Sequence, residues 1–413
     1  KLLLAQPEIE LMFERWKTIV GNKNILLILF TIFALISSWQ LLQGTKTFCD
    51  GGVEYTKYNN YKIFTHAFDH LKNNQDLYIE YPQEHWDLYK YTPSFAVFFG
   101  LFNVLPDWLG MSLWNLLNAL VLFFAIYSLK QLTDYHKGLM LILVLIELTT
   151  SMQNTQSNGL IAGLLVFSLS FMEKDKPIWA TLVIVLSAFI KLFGIVGFVI
   201  FLFYPKKIKV ALYTLMWMVL IAALPLLFID WTQYALLYKS YLNMLANDHS
   251  MSYGYSVMGW LHTWFGLDIN KNMIVGLGAL LFLSPLLKFK KYSTPLFRML
   301  MLSSVLLWIV IFNHKAESPT FIIAMTGAAL WFVISPKNKW NTLLMVSAFI
   351  FTSLSPTDIF PRFVRENYFI PYAIKAVPCI AIWGKIIYDL LTLDSNITSC
   401  PDLQNCNTPN QSQ

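Results

Sequence analysis

Residues 58–118 read YNNYKIFTHAFDHLKNNQDLYIEYPQEHWDLYKYTPSFAVFFGLFNVLPDWLGMSLWNLLN. The stretch begins polar and aromatic, with three His and three Asp, and turns apolar after Pro93, where a fourth Asp stands at 107. Such a polar run stands out in a chain that is 56% hydrophobic and 13% charged, with mean hydropathy +0.52. A soluble protein of 413 residues would carry about a quarter charged residues. The deficit, with 32 Phe and 14 Trp, points to an all-α polytopic membrane protein. The polar run then belongs on one face of the membrane, and chemistry is expected there.

Working outward, a spanning helix needs ~20 apolar residues, fewer when it is packed inside a bundle. Basic residues mark the cytoplasmic side. The first span, about 24–43, follows Arg15, Lys17 and Lys23, so the chain emerges outside. Residues 92–106 are apolar but short, with a proline at each end, and suit an interfacial or re-entrant helix. Spans follow at about 110–129, 138–151 and 158–172. Residues 178–204 have basic flanks at both ends and must form a hairpin turning near Lys191–Gly194. Further spans fall at 210–229, 272–287, 296–312, 320–334, 341–354 and 369–388. This predicts about 12 transmembrane helices with both termini inside. Residues 1–23 form an amphipathic cytoplasmic lead-in, and 24–390 the transmembrane domain. The first outer segment is 44–109 and the second 230–270. Residues 391–413 form a disordered cytoplasmic tail.

Lys and Arg alone drove that assignment, so His tests it independently: six of the seven fall outside, all but His136. Ionisable groups gathered on one face suit chemistry at that face. A net charge of +6 is a topology signal here and does not call for nucleic acid. The four cysteines, Cys49, Cys379, Cys400 and Cys406, have no metal-ligand spacing.

Several constellations follow. The first outer segment offers Asp50, Glu54 and Asp87 as general bases, although each alone also reads as a solvated charge. Glu147, Ser151, Asn154 and Asn158 recur at helical spacing, which predicts one helix face. Glu147 lies inside the membrane, where an acid lines a cavity or hydrogen-bonds a neighbouring helix. Gln153 and Asn158 stand at the outer mouth, where amides bind hydroxyls. Lys191 either snorkels or meets a phosphate. His314, Lys315 and Glu317 end a span and suit an anionic head group or pair among themselves. Arg362 and Arg365, one helical turn apart, could clamp a phosphate or meet lipid head groups. No Asp-x-Asp pair and no Gly-rich phosphate loop is present, so a metal-held nucleotide sugar is unsupported, and neither metal nor cofactor is expected. A lipid-linked sugar phosphate fits the basic groups better.

The runs TKYNNYKIFTHAFDHL, DLY, YKYTPSFAVFFGLFNVLP, LWNLLN, QNTQSNGLIAGLL and AFIKLFGIVG, in this order, resemble glycosyltransferase family 87. The resemblance covers most of 50–205 and continues more weakly to His314. It implies a C-type glycosyltransferase architecture with a large first outer loop. It also implies transfer of a hexose, mannose above others, from a polyprenyl-phosphate donor to an outer-face lipid or glycan acceptor, with inversion. The site would face the outside or periplasm from the cell membrane, among membrane lipids. Tyr78, Gln153, Asn158, Lys191 and His314 occupy matching polar positions. The family's base is an Asp four residues before an aromatic; here that position is Asn60, and an amide takes no proton at neutral pH. Two other readings stay open: a lipid or solute transporter or flippase, and a non-catalytic homologue of the transferase fold. A transporter predicts internal repeats and polar groups at mid-membrane; no repeat is evident, and apart from Glu147 the spans read as apolar.

Overall fold

The computed structural model describes residues 14–43, 48–50, 53–247 and 253–393. The first thirteen residues of the lead-in, the tail from 394 and the side chain of Asp50 lie outside the described residues. Among the described residues the regular structure is helical apart from a two-stranded antiparallel ribbon, β1 (Phe48–Asp50) with β2 (Val53–Tyr55), which pairs Cys49 with Glu54. The helices in order are α1 (Lys23–Leu42), α2 (Asn59–Lys72), α3 (Pro93–Asn103), α4 (Asp107–Tyr127), α5 (Asp134–Gln153), α6 (Asn158–Glu173) and α7 (Pro177–Ile190). A 3-10 helix, Leu192–Phe203, comes next. Then follow α8 (Lys207–Ala223), α9 (Trp231–Asn247), α10 (Val257–Phe265), α11 (Lys271–Leu283), α12 (Pro295–Ile311), α13 (Phe321–Ile334), α14 (Lys339–Ala348) and α15 (Val377–Thr392).

Twelve crossings are not established by helix length. Among the described residues, three helical stretches are long and apolar enough to cross a membrane: Lys23–Leu42, Asp107–Tyr127 and Lys207–Leu227. A fourth counts if Arg362–Phe369 and Ile374–Thr392, bent by 79°, form one broken span. The remaining apolar helices are shorter, 10–17 residues each. At 1.5 Å per residue such helices fall short of a ~30 Å hydrocarbon core. Irregular backbone at membrane depth is tolerated where it lines a cavity or is buried in protein. The expected hairpin turn is present: the chain is extended at Lys191 and doubles back, so that Gly194 packs against the backbone of Ser187.

The two ends of the bundle differ chemically. At one end the lysine-bearing turns meet: Lys23 lies over Phe124 and Tyr127, and Lys137 over Tyr127 as well. Lys206 pairs with Asp175 at 2.6 Å, and Arg298 with Glu173 at 2.7 Å. The other end carries the polar segment.

That segment is a folded cap. Phe64 on α2 meets Tyr91, Phe95, Phe99 and Trp114 edge-on, with ring centroids 4.8 to 6.1 Å apart. Such pairs contribute about 0.5–1.5 kcal/mol each beyond area burial. Polar bonds set the register of the cap. Lys62 pairs with Asp107 at 2.6 Å, and Asn103 donates to Asp69 at 2.8 Å. Thr92 caps α3 ahead of Pro93, where a missing N–H costs nothing, and its hydroxyl donates to the Phe189 carbonyl at 2.5 Å.

The core beneath is tight where α4 and α6 cross. A Cβ on Gly163 would stand 2.8 Å from the backbone nitrogen of Leu122, so glycine is what permits that approach. Nearby, Asn118 accepts from the Leu160 amide at 2.9 Å, satisfying a first-turn N–H of α6 that has no partner within its helix. The Trp114 indole donates to the Thr155 carbonyl at 2.8 Å. These bonds hold the α5–α6 turn, the floor of the polar end.

Candidate functional site

Two polar clusters meet at this end, joined by the tripeptide Glu317–Ser318–Pro319. The first surrounds Lys191. Its Nζ donates to Gln156 Oε1 at 3.1 Å and to Asn158 Oδ1 at 3.0 Å. The Asn158 amide in turn donates to Gln156 Oε1 and to the Pro319 carbonyl, both at 2.9 Å. Gln156 Nε2 donates to Glu317 Oε2 at 3.0 Å. Lys191 also lies 5.5 Å from the centre of the Tyr91 ring, and the Ser157 hydroxyl donates to Tyr91 at 3.4 Å. Lys191 is therefore part of a hydrogen-bonded network and does not snorkel.

The second cluster surrounds Lys375. Its Nζ stands 2.7 Å from Glu147 Oε1 and donates to Ser318 Oγ at 2.9 Å. Both members of the pair are withdrawn from solvent, with 3% of the Lys375 side chain and none of the Glu147 side chain exposed. Glu147 Oε2 has no partner among the described residues, nor has the hydroxyl of Ser151 one turn away. Lys375 opens on a cavity of about 350 Å³ lined also by Tyr255, Ser318, Ser355, Arg362, Arg365 and Glu366. Arg362 pairs with Glu366 at 2.6 Å; Arg365 pairs with Asp358 at 2.9 Å and donates to the Pro356 carbonyl at 3.0 Å. Tyr255 reaches this cavity because the chain runs close beside 314–316. Gly254, at φ +53°, leaves room for the His314 carbonyl, and the Tyr255 amide donates to the Ala316 carbonyl at 3.0 Å.

Lys191, Asn158, Glu317, Glu147, Arg362 and Arg365, all anticipated from sequence, are thus brought to adjoining clusters. His314 and Lys315 are half-buried in the turn just ahead of Glu317. The other anticipated residues lie elsewhere. Gln153 donates to Gln40 on α1 at 2.8 Å. Tyr78 is buried, and its hydroxyl donates to the Tyr91 carbonyl at 2.9 Å, one aromatic layer behind Lys191. Asn60 donates to the Asn154 carbonyl at 2.9 Å. Glu54 is exposed on the ribbon. The Asp87 carboxylate accepts from its neighbour's amide, Leu88, at 2.7 Å and from Lys90 at 2.9 Å. Asp87 is also strained, with φ at +145°, a region that is almost glycine-only. Its carbonyl accepts from His85 Nδ1 at 2.9 Å.

Two expectations are overturned. Glu147, Ser151, Asn154 and Asn158 do not share a helix: α5 ends at Gln153, Thr155 turns the chain at φ +49°, and Asn158 begins α6. The helical spacing across the turn was coincidental, and a shorter helix carries Glu147 and Ser151 alone. The apolar spans are also not clean apart from Glu147, because Lys375 sits in one of them, opposite it. Sequence reasoning missed Lys375, Gln156, Ser318 and Tyr91. A signal existed for Lys375: a lysine within YFIPYAIKAVPCIAIWG asks for a buried anion.

Beside the clusters, His66, His70 and His85 gather with ring centroids 6.2 to 6.5 Å apart. His70 Nε2 lies 2.9 Å from Glu84, and the His70 ring stacks on Tyr81 at 3.7 Å. Burial holds both His70 and His85 below the ordinary value of 6.5, against the opposing pull of Glu84. The unfolded chain therefore binds protons first as pH falls. Stability of the cap is full above about 6.5 and is lost below it. Hydrogen exchange of residues 59–92 is expected to accelerate between pH 7 and about 5.5, and His85→Gln to flatten that dependence.

No curated protein matches this chain closely enough to count as a relative. A protein-family model does: glycosyltransferase family 87 matches residues 89–356. The match takes in Lys191, the Gln156–Asn158 network and the 317–319 tripeptide. It begins after Asn60 and ends before Arg362, Arg365 and Lys375, so the resemblance seen from sequence in residues 50–88 is not part of it. Spanning well over half of the chain, it makes this protein, with its apolar helices and its polar end, a membrane glycosyltransferase that belongs to glycosyltransferase family 87.

Proposed function

We propose that this glycosyltransferase moves a hexose, mannose above others, from a polyprenyl-phosphate donor to a lipid or glycan acceptor, with inversion at the anomeric carbon. The observation that carries the reading is the cavity where Lys375, Arg362 and Arg365 converge beside Ser318 and Ser355. Three cations and two hydroxyls suit a phosphate whose negative charge grows as the sugar leaves. Charge developing in a water-poor site gains most from cations already in place. The acceptor hydroxyl attacks the anomeric carbon from the side opposite the phosphate. A new glycosidic C–O bond forms, and the bond to the phosphate oxygen breaks, its electron pair leaving with the phosphate. The acceptor's proton passes to a carboxylate.

Glu317 is our candidate for that base. Its carboxylate is exposed at the junction of the two clusters, oriented by Gln156, and Ser318 next to it touches Lys375. Asn60 cannot serve, and Asp87 is engaged by Lys90. Asp50 and Glu54 remain candidates from sequence, on the ribbon. Orientation follows from the lysine-bearing turns at the opposite end: by the positive-inside rule that end is cytoplasmic, and the site faces outside from the cell membrane.

The test is direct. Purified chain in detergent is given radiolabelled polyprenyl-phosphate-mannose with a lipid extract as acceptor source. Label is expected to move to a new lipid or glycan product, and Arg365→Ala to cut the rate by about 10²-fold. Absence of turnover with polyprenyl-phosphate-linked mannose and glucose alike would sink the reading. Transport without transfer, scored as labelled lipid crossing a proteoliposome membrane, would favour the flippase.

A further inference from the structure

A second polar cavity of about 350 Å³ lies between the 76–88 loop and α9, lined by Asp76, Tyr78, Leu88, Ser240, Asn243, Met244 and Asn247. Its chemistry is unlike that of the first. Among the described residues no lysine or arginine lines it, so none of them answers a phosphate there. It offers one carboxylate, two amides and a hydroxyl against the apolar faces of Leu88, Met244 and Tyr78. The carboxylate is held in place: Asp76 Oδ2 accepts from Ser240 at 2.7 Å, and Oδ1 from the Tyr78 amide at 3.0 Å. Two bonds leave lone pairs of that carboxylate open to further donors. The amides of Asn243 and Asn247 are exposed on α9 and give both donors and acceptors. The wall is fixed independently, since Tyr81 donates to the Asp76 carbonyl at 2.7 Å and Gln233 to the Gln75 carbonyl at 3.2 Å.

A sugar ring is the neutral ligand that matches this set. Each hydroxyl both donates and accepts, and the ring's C–H face packs on apolar walls. A short chain of contacts links the cavity to the Lys191 cluster. Tyr78, which lines it, hydrogen-bonds the Tyr91 carbonyl, and the Tyr91 ring packs against Lys191. We propose that this cavity is a carbohydrate subsite that holds a sugar of the acceptor away from the reacting hydroxyl. The acceptor is then a glycan or a glycolipid head group. This rests on the transfer reaction proposed above, with the donor phosphate in the other cavity.

The two are separable by experiment. Full-length protein in detergent is examined by saturation-transfer NMR with methyl glycosides of mannose, glucose and galactose and the corresponding disaccharides. Polyprenyl phosphate binding is measured in parallel. At least one glycan is expected to bind. Its affinity should fall roughly tenfold in the Asn243→Ala/Asn247→Ala double variant, as lost hydrogen bonds to a ligand do. Both are surface positions, so the fold should survive, and lipid phosphate binding should be unchanged. Arg362→Ala should do the reverse. Asp76→Asn, which keeps the shape and removes the charge, should weaken the glycan in the same direction. The proposal is overturned if no glycan binds, if glycan affinity survives the double variant, or if Arg362→Ala is what abolishes it. Unchanged polyprenyl phosphate binding in Arg362→Ala would instead fault the donor site and leave the glycan result standing.

Discussion

Lys375→Met is expected to abolish sugar transfer and to destabilise the fold, and a second substitution should separate the two effects. The lysine touches Glu147 at 2.7 Å in a setting that excludes water, and the same ammonium faces the cation-lined cavity. Without it, Glu147 is a buried charge with no counter-ion, next to an oxygen that already lacks a partner. Breaking a buried pair from one side costs about 3–5 kcal/mol. Adding Glu147→Gln removes the stranded charge, so the double variant should regain most of that stability in a thermal unfolding assay. Its transfer rate should remain down by about 10²-fold or more, the loss that accompanies removal of one charge-stabilising group. If the double variant recovers both stability and rate, Lys375 is a structural partner of Glu147, and the donor phosphate lies elsewhere.

Glu317→Gln tests the other half of the chemistry. Glutamine has the same shape and can still bond to Gln156, yet it takes no proton. A general base contributes about 10²–10⁴-fold. We expect kcat to fall by that amount while KM for the donor changes little. The acidic limb of the pH–rate profile should disappear with it. A residue that only positions Gln156 and Lys191 would shift KM and leave the profile in place. Parallel Glu54→Gln and Asp50→Asn variants decide whether the ribbon supplies the base: a loss as large in either one, with Glu317→Gln active, moves the role there. Because Glu54 is exposed on the ribbon, the change itself is expected to cost little stability.

These expectations rest on residues of different legibility. The chain's class was plain from composition, since too few charges for its length leave a membrane as the solvent. Helix positions followed from apolar runs between basic turns, and α1, α4 and α12 lie close to where those runs fall. The hairpin at Lys191 was legible because two basic flanks cannot lie on opposite sides. The family was legible in the order of short runs, with residues 89–356 bearing it out and residues 50–88 outside the match.

Pairing across the fold was not legible. Glu147 and Lys375 are more than two hundred residues apart, and each alone reads as an anomaly in an apolar helix. Nothing local says that they are one feature. Gln156, two residues from both Asn154 and Asn158, gave no signal, because an amide in a turn looks like any capped turn until the lysine just past α7 reaches it. The false helical face from Glu147 to Asn158 has the same origin. Periodicity tests a face only while the helix lasts, and Thr155 ends it at a positive φ. Asp87 looked available as a base until its backbone turned its carboxylate back on Lys90.

The sequence by itself determined the solvent, the family and the end of the molecule where polar groups gather, because hydrophobicity and charge are properties each residue carries alone. Only the tertiary structure decided which of those groups meet. That choice depends on helix breaks, on the close crossing at Gly163 and on the aromatic packing around Phe64, and it sets Glu317 between the clusters of two lysines far apart in the chain. The polar stretch up to residue 92 is a folded cap beside the candidate site, and the cations that we place against the donor come from the opposite end of the chain.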